Sequence, residues 1–518
     1  MVEADNQKLK CKICNEDRLA KFISFGKMPA SNAYVKKEDL EKPEYTYDME
    51  VGFCENCKMV QLINIVPYDK YIIPDETGKT HYAFFSSTSK SMETHFAEIA
   101  KEIEERFLDS DSKVMETGSN DGIFLKNFKN HQVLGIEPSH NVAEIAMQQG
   151  ILCITEFFTE EVARKIYSDK GKYRAIFSAN VTLNIIDLHS YMRGISGILD
   201  DKGVFIKEDP YILDILEKNS FDQIYDEHIW YFSLSSLSKL YAMHGLEIFD
   251  AERTWVHGGS MRVYACKIGA YEKTERLKEY LLEEEIKGIN NLSIYQKFAE
   301  RVKANRIKLI NLLSDLKNQG KKIVGYAAAS KGTIVQNYCN IDNNIIDYIA
   351  DTTPFKQGLF TPLKHIPIVH PDNFHNDNAD YAIVFAWNHA KEIMKNEKAF
   401  TDRGGRFIVH LPEPQILEPG ADIYNKEKLI QEKTNDETHS DTTQKSDLIP
   451  GVEIKKMNIF ANDQGYLFET IRSDDKMYDG KFGQVLISEL YPGVIKGLHL
   501  HNKQTEYTTC LKGNIKYV

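Results

Sequence analysis

No stretch of eighteen or more apolar residues occurs in this 518-residue chain, so a membrane-spanning helix is not expected. The opening MVEADNQKLK lacks the apolar core of a secretory signal. Long Lys/Arg blocks are missing and the formal net charge is −12, which argues against binding a nucleic-acid backbone as the main function. No G-x-G-x-x-G occurs, so a dinucleotide pyrophosphate is not the expected guest. Cysteine is sparse. Of eight, four form two C-x-x-C pairs and the rest are scattered, so no disulfide framework is implied. These absences describe a soluble, cytoplasmic protein with neither nucleic acid nor membrane as partner.

What is present is globular: 42% of residues are hydrophobic and 27% charged. The length calls for about three or four domains. The stretch that organises them is Val114-Met115-Glu116-Thr117-Gly118-Ser119-Asn120-Asp121-Gly122. An apolar run ends in a carboxylate, then a small-residue turn, then Ile123, Phe124, Leu125 and Phe128 at helical spacing, which predicts a strand–turn–helix unit. Gly118 and Gly122 allow tight turns and close approach of a ligand to the backbone. A second run, Val133 to Ile136, puts Glu137 at the end of the next strand, where a carboxylate suits ribose hydroxyls. The Glu-x-Gly-Ser-Asn-Asp-Gly turn resembles the S-adenosylmethionine loop of class I methyltransferases. An ordinary strand–turn–helix is the alternative.

Upstream, Cys11-Lys12-Ile13-Cys14 and Cys54-Glu55-Asn56-Cys57 have the spacing that chelates tetrahedral Zn²⁺. Four thiolates would leave no open coordination position, so such a metal braces the fold. A redox pair is the rival, but neither motif lies at a strand-to-helix turn. Tyr82, amid aromatics and hydroxyls (His81 to Ser89), can line a pocket or staple the following amphipathic helix to the sheet.

Apolar runs at 113–117, 133–137, 151–154, 174–179 and 203–207 alternate with helical segments, predicting a parallel sheet covered on both faces. Ligands bind at the carboxyl ends of such strands, here marked by Glu116, Glu137, Asn180 and Glu208. Tyr225, Glu227 and His228 lie within four residues and can form a proton-handling cluster, or simply a polar surface. His257-Gly258-Gly259-Ser260 reads as a turn into an edge strand that can offer N–H groups to an anion.

Residues 271–320 have helical period, as two or three helices between domains. A new α/β unit begins at Lys321, where Ile323 to Gly332 again sets small residues between strand and helix, with Lys331 as a charge partner for phosphate. A strand is expected over Ile345–Ala350, ending in Asp351, which can hold a ribose or cap a helix. Residues 419–449 are polar and read as a flexible linker. Residues 450–518 are β-rich and carry His499-Leu500-His501, which places both imidazoles on one strand face as in metal-binding cupins. The expected boundaries are 1–75, 76–270, 271–320, 321–418, 419–449 and 450–518.

From about residue 8 to 417 the chain resembles nucleotide-sugar C-methyltransferases that make branched deoxysugars. The matching pieces are the double C-x-x-C, the Ser-Ser-x-Ser after Tyr82, Glu116–Gly122, Glu137-Pro138-Ser139, Tyr225-x-Glu227-His228 and Gly325–Gly332. The resemblance implies a zinc-braced N-terminal domain, a central S-adenosylmethionine domain, and a C-terminal α/β domain that helps hold the nucleotide sugar. It implies cofactor contacts from Glu116, Gly118, Ser119, Asn120, Asp121, Glu137 and Asn180. Substrate contacts are expected from Tyr82, Asn184, Glu208 and Lys331. One departure is Asn184, where the family usually has a second histidine; an amide hydrogen-bonds but cannot shuttle a proton. The tail resembles 3,5-epimerases of 4-keto-deoxysugars through Gly497-Leu498-His499, but their later strands and tyrosine are missing. His499 and His501 therefore read as an epimerase remnant, and the tail as a route to a homodimer.

The implied reaction is methyl transfer to C3 of a nucleotide-linked 4-keto-sugar. His228 removes the C3 proton, with Tyr225 and Glu227 orienting it or donating to the enolate. Sugar O-methylation and a non-catalytic nucleotide-sugar scaffold are the alternatives.

Overall fold

The computed structural model describes residues 9–70, 77, 79–80, 85–88 and 90–418, together with the backbone of 459–462, 465–472 and 484–490. Tyr82, the expected linker 419–449 and the tail histidines His499 and His501 lie outside the described residues. The chain divides into two compact units, Met1–Ile423 and Tyr424–Val518.

The first unit opens with an antiparallel meander of β1 (Leu19–Pro29), β2 (Thr46–Cys54) and β3 (Val60–Leu62). The second C-x-x-C follows directly on β2, so the hairpin carries half of the cysteine cluster on its own turn.

A central α/β layer follows, from α1 (Lys90–Phe107) through β4 (Lys113–Thr117), β5 (Gln132–Ile136), α2 (His140–Gln148), β6 (Cys153–Ile154), α3 (Glu160–Lys170), β7 (Tyr173–Ala179), α4 (Leu188–Ile198) and β8 (Leu199–Pro210). It continues with α5 (Ile212–Glu217), β9 (Trp230–Tyr231), α6 (Leu234–Ala242), β10 (Leu246–Thr254) and β11 (Ser260–Lys267). The strand order is β10-β11-β8-β7-β4-β5-β6, with the five strands β4 to β8 parallel. All five predicted runs are strands. β10 and β11 run antiparallel and make the sheet mixed.

Two local expectations are corrected. The segment after Gly122 forms only a 3-10 turn, Leu125–Asn127, and not a helix. Ile123, Phe124, Leu125 and Phe128 are all buried, Phe124 stacks on Phe177 at 4.1 Å, and α1 packs over them. Asn127 Nδ2 donates to the Ile123 and Phe124 carbonyls at 3.0 and 2.9 Å, the acceptors that a continuing helix would give to backbone amides. The second correction concerns Ser260–Lys267: β11 is hydrogen-bonded on both sides, and β10 holds the edge.

The expected inter-domain helices are α7 (Glu275–Ile286) and α8 (Leu292–Asn318). Beyond them a second α/β sheet contains β12 (Ile323–Tyr326), followed by α9 (Ser330–Tyr338), then β13 (Ile349–Ala350), β14 (Ile368–Val369), β15 (Tyr381–Val384), β16 (Arg406–Val409) and β17 (Gln415–Leu417). Its order is β14-β13-β12-β15-β16-β17, parallel except for β17. The strand expected over 345–350 is confined to its last two residues, because only Ile349 and Ala350 find ladder partners.

One connection cuts across these layers. β9, two residues long and encoded in the central layer, adds to the N-terminal meander: Val60 pairs with Tyr231 and Gln61 with Trp230. The Leu62 amide donates to the Ile229 carbonyl at 2.9 Å. The segment Tyr225–His228 thus ends in the sheet of another layer.

In the second unit, β18 (Ile459–Asn462), β19 (Gly465–Arg472) and β20 (Gln484–Leu490) form an antiparallel meander in which Asn462 pairs with Gly465. No described helix is long and apolar enough to cross a membrane.

Candidate functional site

Cys11, Cys14, Cys54 and Cys57 bring their four sulfurs within 4.8 Å of one another. Cys11 and Cys57 stand 3.5 Å apart, and Cys14 and Cys54 3.6 Å. A tetrahedral Zn²⁺ with bonds of about 2.3 Å sets sulfurs roughly 3.8 Å apart, so the residues fit that ion. Asn15 and Lys58, each just after the second cysteine of its pair, take positive φ (59° and 66°), which curls both knuckles inward. The Ile13 and Cys57 amides and the Gln61 side chain donate to ligand sulfurs, which suits thiolates. Gln61 is also the partner of Trp230 in the β3–β9 ladder, so the metal cluster and the Tyr225–His228 segment share a residue.

At the carboxyl ends of β4, β5 and β7 the expected cofactor residues converge. Gly118 has φ +68°, and a Cβ there would lie 2.2 Å from Val181 Cγ2. Only glycine fits that crossing. The Glu137 carboxylate accepts the Asn120 amide at 3.0 Å and the Ser139 amide at 2.9 Å, locking two loops together. The Ser139 side chain is also bonded to this carboxylate, so a single lone pair remains for a ligand hydroxyl. Burial pushes the Glu137 carboxyl up. Glu116 is buried, with Oε2 unpartnered among the described residues. Burial first, then the charges of Glu137 and Asp121, push its carboxyl well up. A buried carboxyl oxygen without a protein donor can take one from a ligand. Such an oxygen fits the ammonium or hydroxyl groups of S-adenosylmethionine. The Ser86 and Ser87 amides donate to Asn120 and Asp121 side chains at 3.0 Å each, and Thr80 Oγ1 donates to the Pro138 carbonyl at 2.6 Å. Both ends of the expected Tyr82 segment therefore touch the cofactor loops. Ser119 lies across from Gly135, where a Cβ would come within 2.4 Å of its Oγ.

His228 is buried and stacked on Tyr225 at 3.9 Å between ring centres. Its Nδ1 lies 2.9 Å from the Gln223 carbonyl, which can only accept. Nδ1 therefore carries the proton and Nε2 the lone pair. Burial first, and then the charges of Lys331 and His257, push the ring down to about 3. It is neutral at physiological pH.

Glu227 and its neighbour hold the N-terminal and C-terminal layers together. Asn32 donates from Nδ2 to Glu227 at 2.7 Å and accepts from Ser330 at 2.9 Å. Asp226 takes the Ser31 amide at 2.9 Å, and the Ser31 carbonyl takes Thr333 Oγ1 at 2.9 Å. Burial, with the Asp226 charge, pushes Glu227 up to about 7, and burial pushes Asp226 up to about 6.

The remaining expected residues are less alike. Asn180 (φ +56°) donates from Nδ2 to His257 Nε2 at 3.0 Å. Asn184 keeps a buried Oδ1 with no partner among the described residues. Glu208 is engaged on both oxygens, by His95 at 2.6 Å and Arg262 at 2.9 Å, so a sugar hydroxyl would compete with an ion pair there. Asp351 caps no helix among the described residues; its two oxygens take the amides of Ala328 and Thr353, one each, and a lone pair remains on each for a hydroxyl. Sequence reasoning did not single out Asn32 for this site. No local motif marks it, because tertiary contacts alone bring it to Glu227 and Ser330.

Comparison with known proteins places this geometry. Residues 11–71 match a zinc binding domain family, 92–251 a methyltransferase domain, and 255–412 a C-methyltransferase C-terminal domain. The chain is 33% identical over 412 residues to the C-methyltransferase NovU of Streptomyces niveus, covering 79% of this chain and 96% of that protein. It is 41% identical over 59 residues to the spore coat polysaccharide biosynthesis protein SpsL of Bacillus subtilis, covering 11% of this chain and 38% of that protein. Among solved structures, magnesium protoporphyrin IX methyltransferase of Synechocystis with bound SAM aligns with a TM-score of 0.26 and 12% identity, over 34% of this chain and 79% of that one.

Three outcomes follow from this geometry. Stripping the metal with a strong chelator should speed amide hydrogen exchange across 225–232 while leaving 113–117 protected, as read by mass spectrometry. Gly118→Ala should abolish S-adenosylmethionine binding in calorimetry, since the new methyl and Val181 cannot share one space. Glu227→Gln should raise stability at pH 8 by about 1–3 kcal/mol in denaturant titrations. A carboxyl raised in the fold contributes stability below its unfolded value and loses it as pH rises through about 7. The gain should therefore vanish below about pH 4.5, near the ordinary glutamate value.

Proposed function

Because the chain belongs to the C-methyltransferase family and is an S-adenosylmethionine-dependent enzyme, we propose that its acceptor is C3 of a nucleotide-linked 4-keto-deoxysugar, deprotonated by His228. The observation that carries this reading is the Nδ1–H bond from His228 to the Gln223 carbonyl. It leaves a lone pair on Nε2 of a buried, neutral imidazole, which is what proton abstraction from carbon requires.

When bound, the sulfonium supplies an electrophilic methyl group. The chain supplies everything else. Glu116, Glu137 and the Gly118–Asp121 turn hold the donor, with Asn180 at the end of the neighbouring strand. A ketone at C4 acidifies the C3 hydrogen; His228 Nε2 takes that proton, and the resulting carbanion attacks the methyl carbon. The electron pair of the C–H bond becomes the new C–C bond, and the sulfur leaves with the pair from the broken bond. Glu227, held near neutrality by its surroundings, can donate toward the enolate oxygen, as can Tyr225. Asn184 offers an amide where a sugar oxygen can be hydrogen-bonded. Burial of this cluster between three layers excludes water, which would otherwise protonate the carbanion.

A carbohydrate acceptor is supported by the partial likeness to a polysaccharide biosynthesis protein and by Lys331, a cation suited to the phosphates of a nucleotide sugar. The decisive experiment incubates the protein with S-adenosylmethionine and a panel of nucleotide 4-keto-deoxysugars. A product 14 mass units heavier, with the methyl on carbon by NMR, is expected; methyl on oxygen would sink the proposal. His228→Ala should lower turnover by about 10²–10⁴-fold with donor binding intact. Wild-type turnover in that variant would remove His228 from the role of base.

A further inference from the structure

Lys331 sits in the first turn of α9, and its Nζ is shut off from solvent with no hydrogen-bond acceptor among the described residues. A buried ammonium without an acceptor is costly, so its position calls for an anion. The ammonium lies 5.3 Å from the centre of the Trp387 ring. That ring is held by its Nε1 donating to Asp222 Oδ2 at 2.6 Å. It is packed so closely on Gly258 that a Cβ there would lie 2.6 Å from Cη2. Gly258 follows His257, whose φ of +55° lies in the left-handed region, and two residues beyond Trp387 comes His389. Three cationic or protonatable groups from three separate elements thus meet around one indole.

The geometry points to a seat for one phosphate of the nucleotide-linked substrate, formed by Lys331, His257 and His389 around Trp387. This rests on the nucleotide-sugar reading above and adds two histidines that it does not use. Asn180 Nδ2 can only donate, so His257 Nε2 accepts and its Nδ1 carries the proton, free to turn to an anion.

The electrostatics agree. His257 is pushed down to about 4, by burial first and then by Lys331, with His389 and His95 acting the same way and Glu208 opposing. His389 is pushed down by burial and Lys331, with Glu392 opposing. Lys331 is itself pushed down by burial, with Asp222 opposing. A phosphate arriving at Nζ cancels the Lys331 field at both histidines and, lying beside them, draws protons onto them. The same neutralisation relieves His228, whose basicity Lys331 and His257 both suppress. Substrate binding then raises the strength of the base in the complex where it is needed. The linkage sign is fixed: groups whose protonation rises on binding favour the complex at low pH, and affinity falls as pH climbs through their values in the complex.

The test is calorimetry of the full-length protein with the uridine, thymidine, guanosine and cytidine diphosphate-glucoses. These lack the C4 ketone and their diester phosphates do not titrate near neutrality. At pH 7, in buffers of different ionisation heat, at least one should bind with net uptake of about one to two protons. Lys331→Met should weaken binding roughly 30-fold or more. His257→Asn and His389→Asn should each reduce the proton uptake. S-adenosylmethionine binding by Lys331→Met and His389→Asn should be unchanged, which separates loss of the seat from loss of the fold. Wild-type affinity in Lys331→Met, absence of proton uptake, or failure of all four ligands to bind would overturn the seat. Normal binding and uptake without methylation of any 4-keto-sugar would leave the seat standing and overturn the functional reading.

Discussion

The pairing of β3 with β9 is the constraint on which the candidate site depends. Two residues of ladder, Val60 with Tyr231 and Gln61 with Trp230, attach the end of the Tyr225–His228 segment to a sheet that four cysteines brace. A two-residue strand has no stability of its own. It persists because its partner strand is held rigid, and Gln61 reaches from that strand to a ligand sulfur. The metal-binding module thus fixes the direction in which a neighbouring loop leaves the central layer, and its Asn32 holds Glu227 of that loop directly. The other side of the same loop is tied by Asn32, Ser31, Ser330 and Thr333, so three parts of the chain hold four residues in place.

That arrangement stores unfavourable electrostatics. Glu116, Asp226 and Glu227 are carboxyls pushed up by burial, while His228 and Lys331 are pushed down. The carboxyls and Lys331 would be better solvated in the unfolded chain and so oppose folding at neutral pH, whereas His228 opposes it only as pH falls below about 6.5, the ordinary histidine value. Apolar packing beneath the sheet, such as Phe124 on Phe177 and the α1 face, carries this load. Such a cluster persists because the surrounding packing over-determines it, as is common where a ligand is received.

Much of this was legible. The alternation of apolar runs predicted every central parallel strand, because buried strands must be written as apolar runs whatever their neighbours. The C-x-x-C pairs predicted their own clustering, since chelation imposes spacing on sequence. Where prediction failed, a neighbour had intervened. Ile123 to Phe128 has helical spacing but forms a 3-10 turn, where the Asn127 side chain donates to the carbonyls of Ile123 and Phe124. Ser260–Lys267 reads as an edge strand but lies inside, because β10 comes in to take the edge.

The amino-acid order by itself therefore determined the local chemistry: which strands form, where carboxylates stand at strand ends, which thiols can share a metal, and which imidazole lies among acid–base groups. Periodicity and short-range spacing are properties of a single segment, and a segment carries them wherever it packs. Tertiary structure alone decided which of those groups meet. Asn32 reaches Glu227 across 195 positions, and Trp387 reaches Asp222 across 165. The proton on His228 Nδ1 is assigned by a carbonyl five residues away in a buried turn. Burial and the fields of distant charges arise only when separate layers close on one another, and no pattern within one segment encodes them.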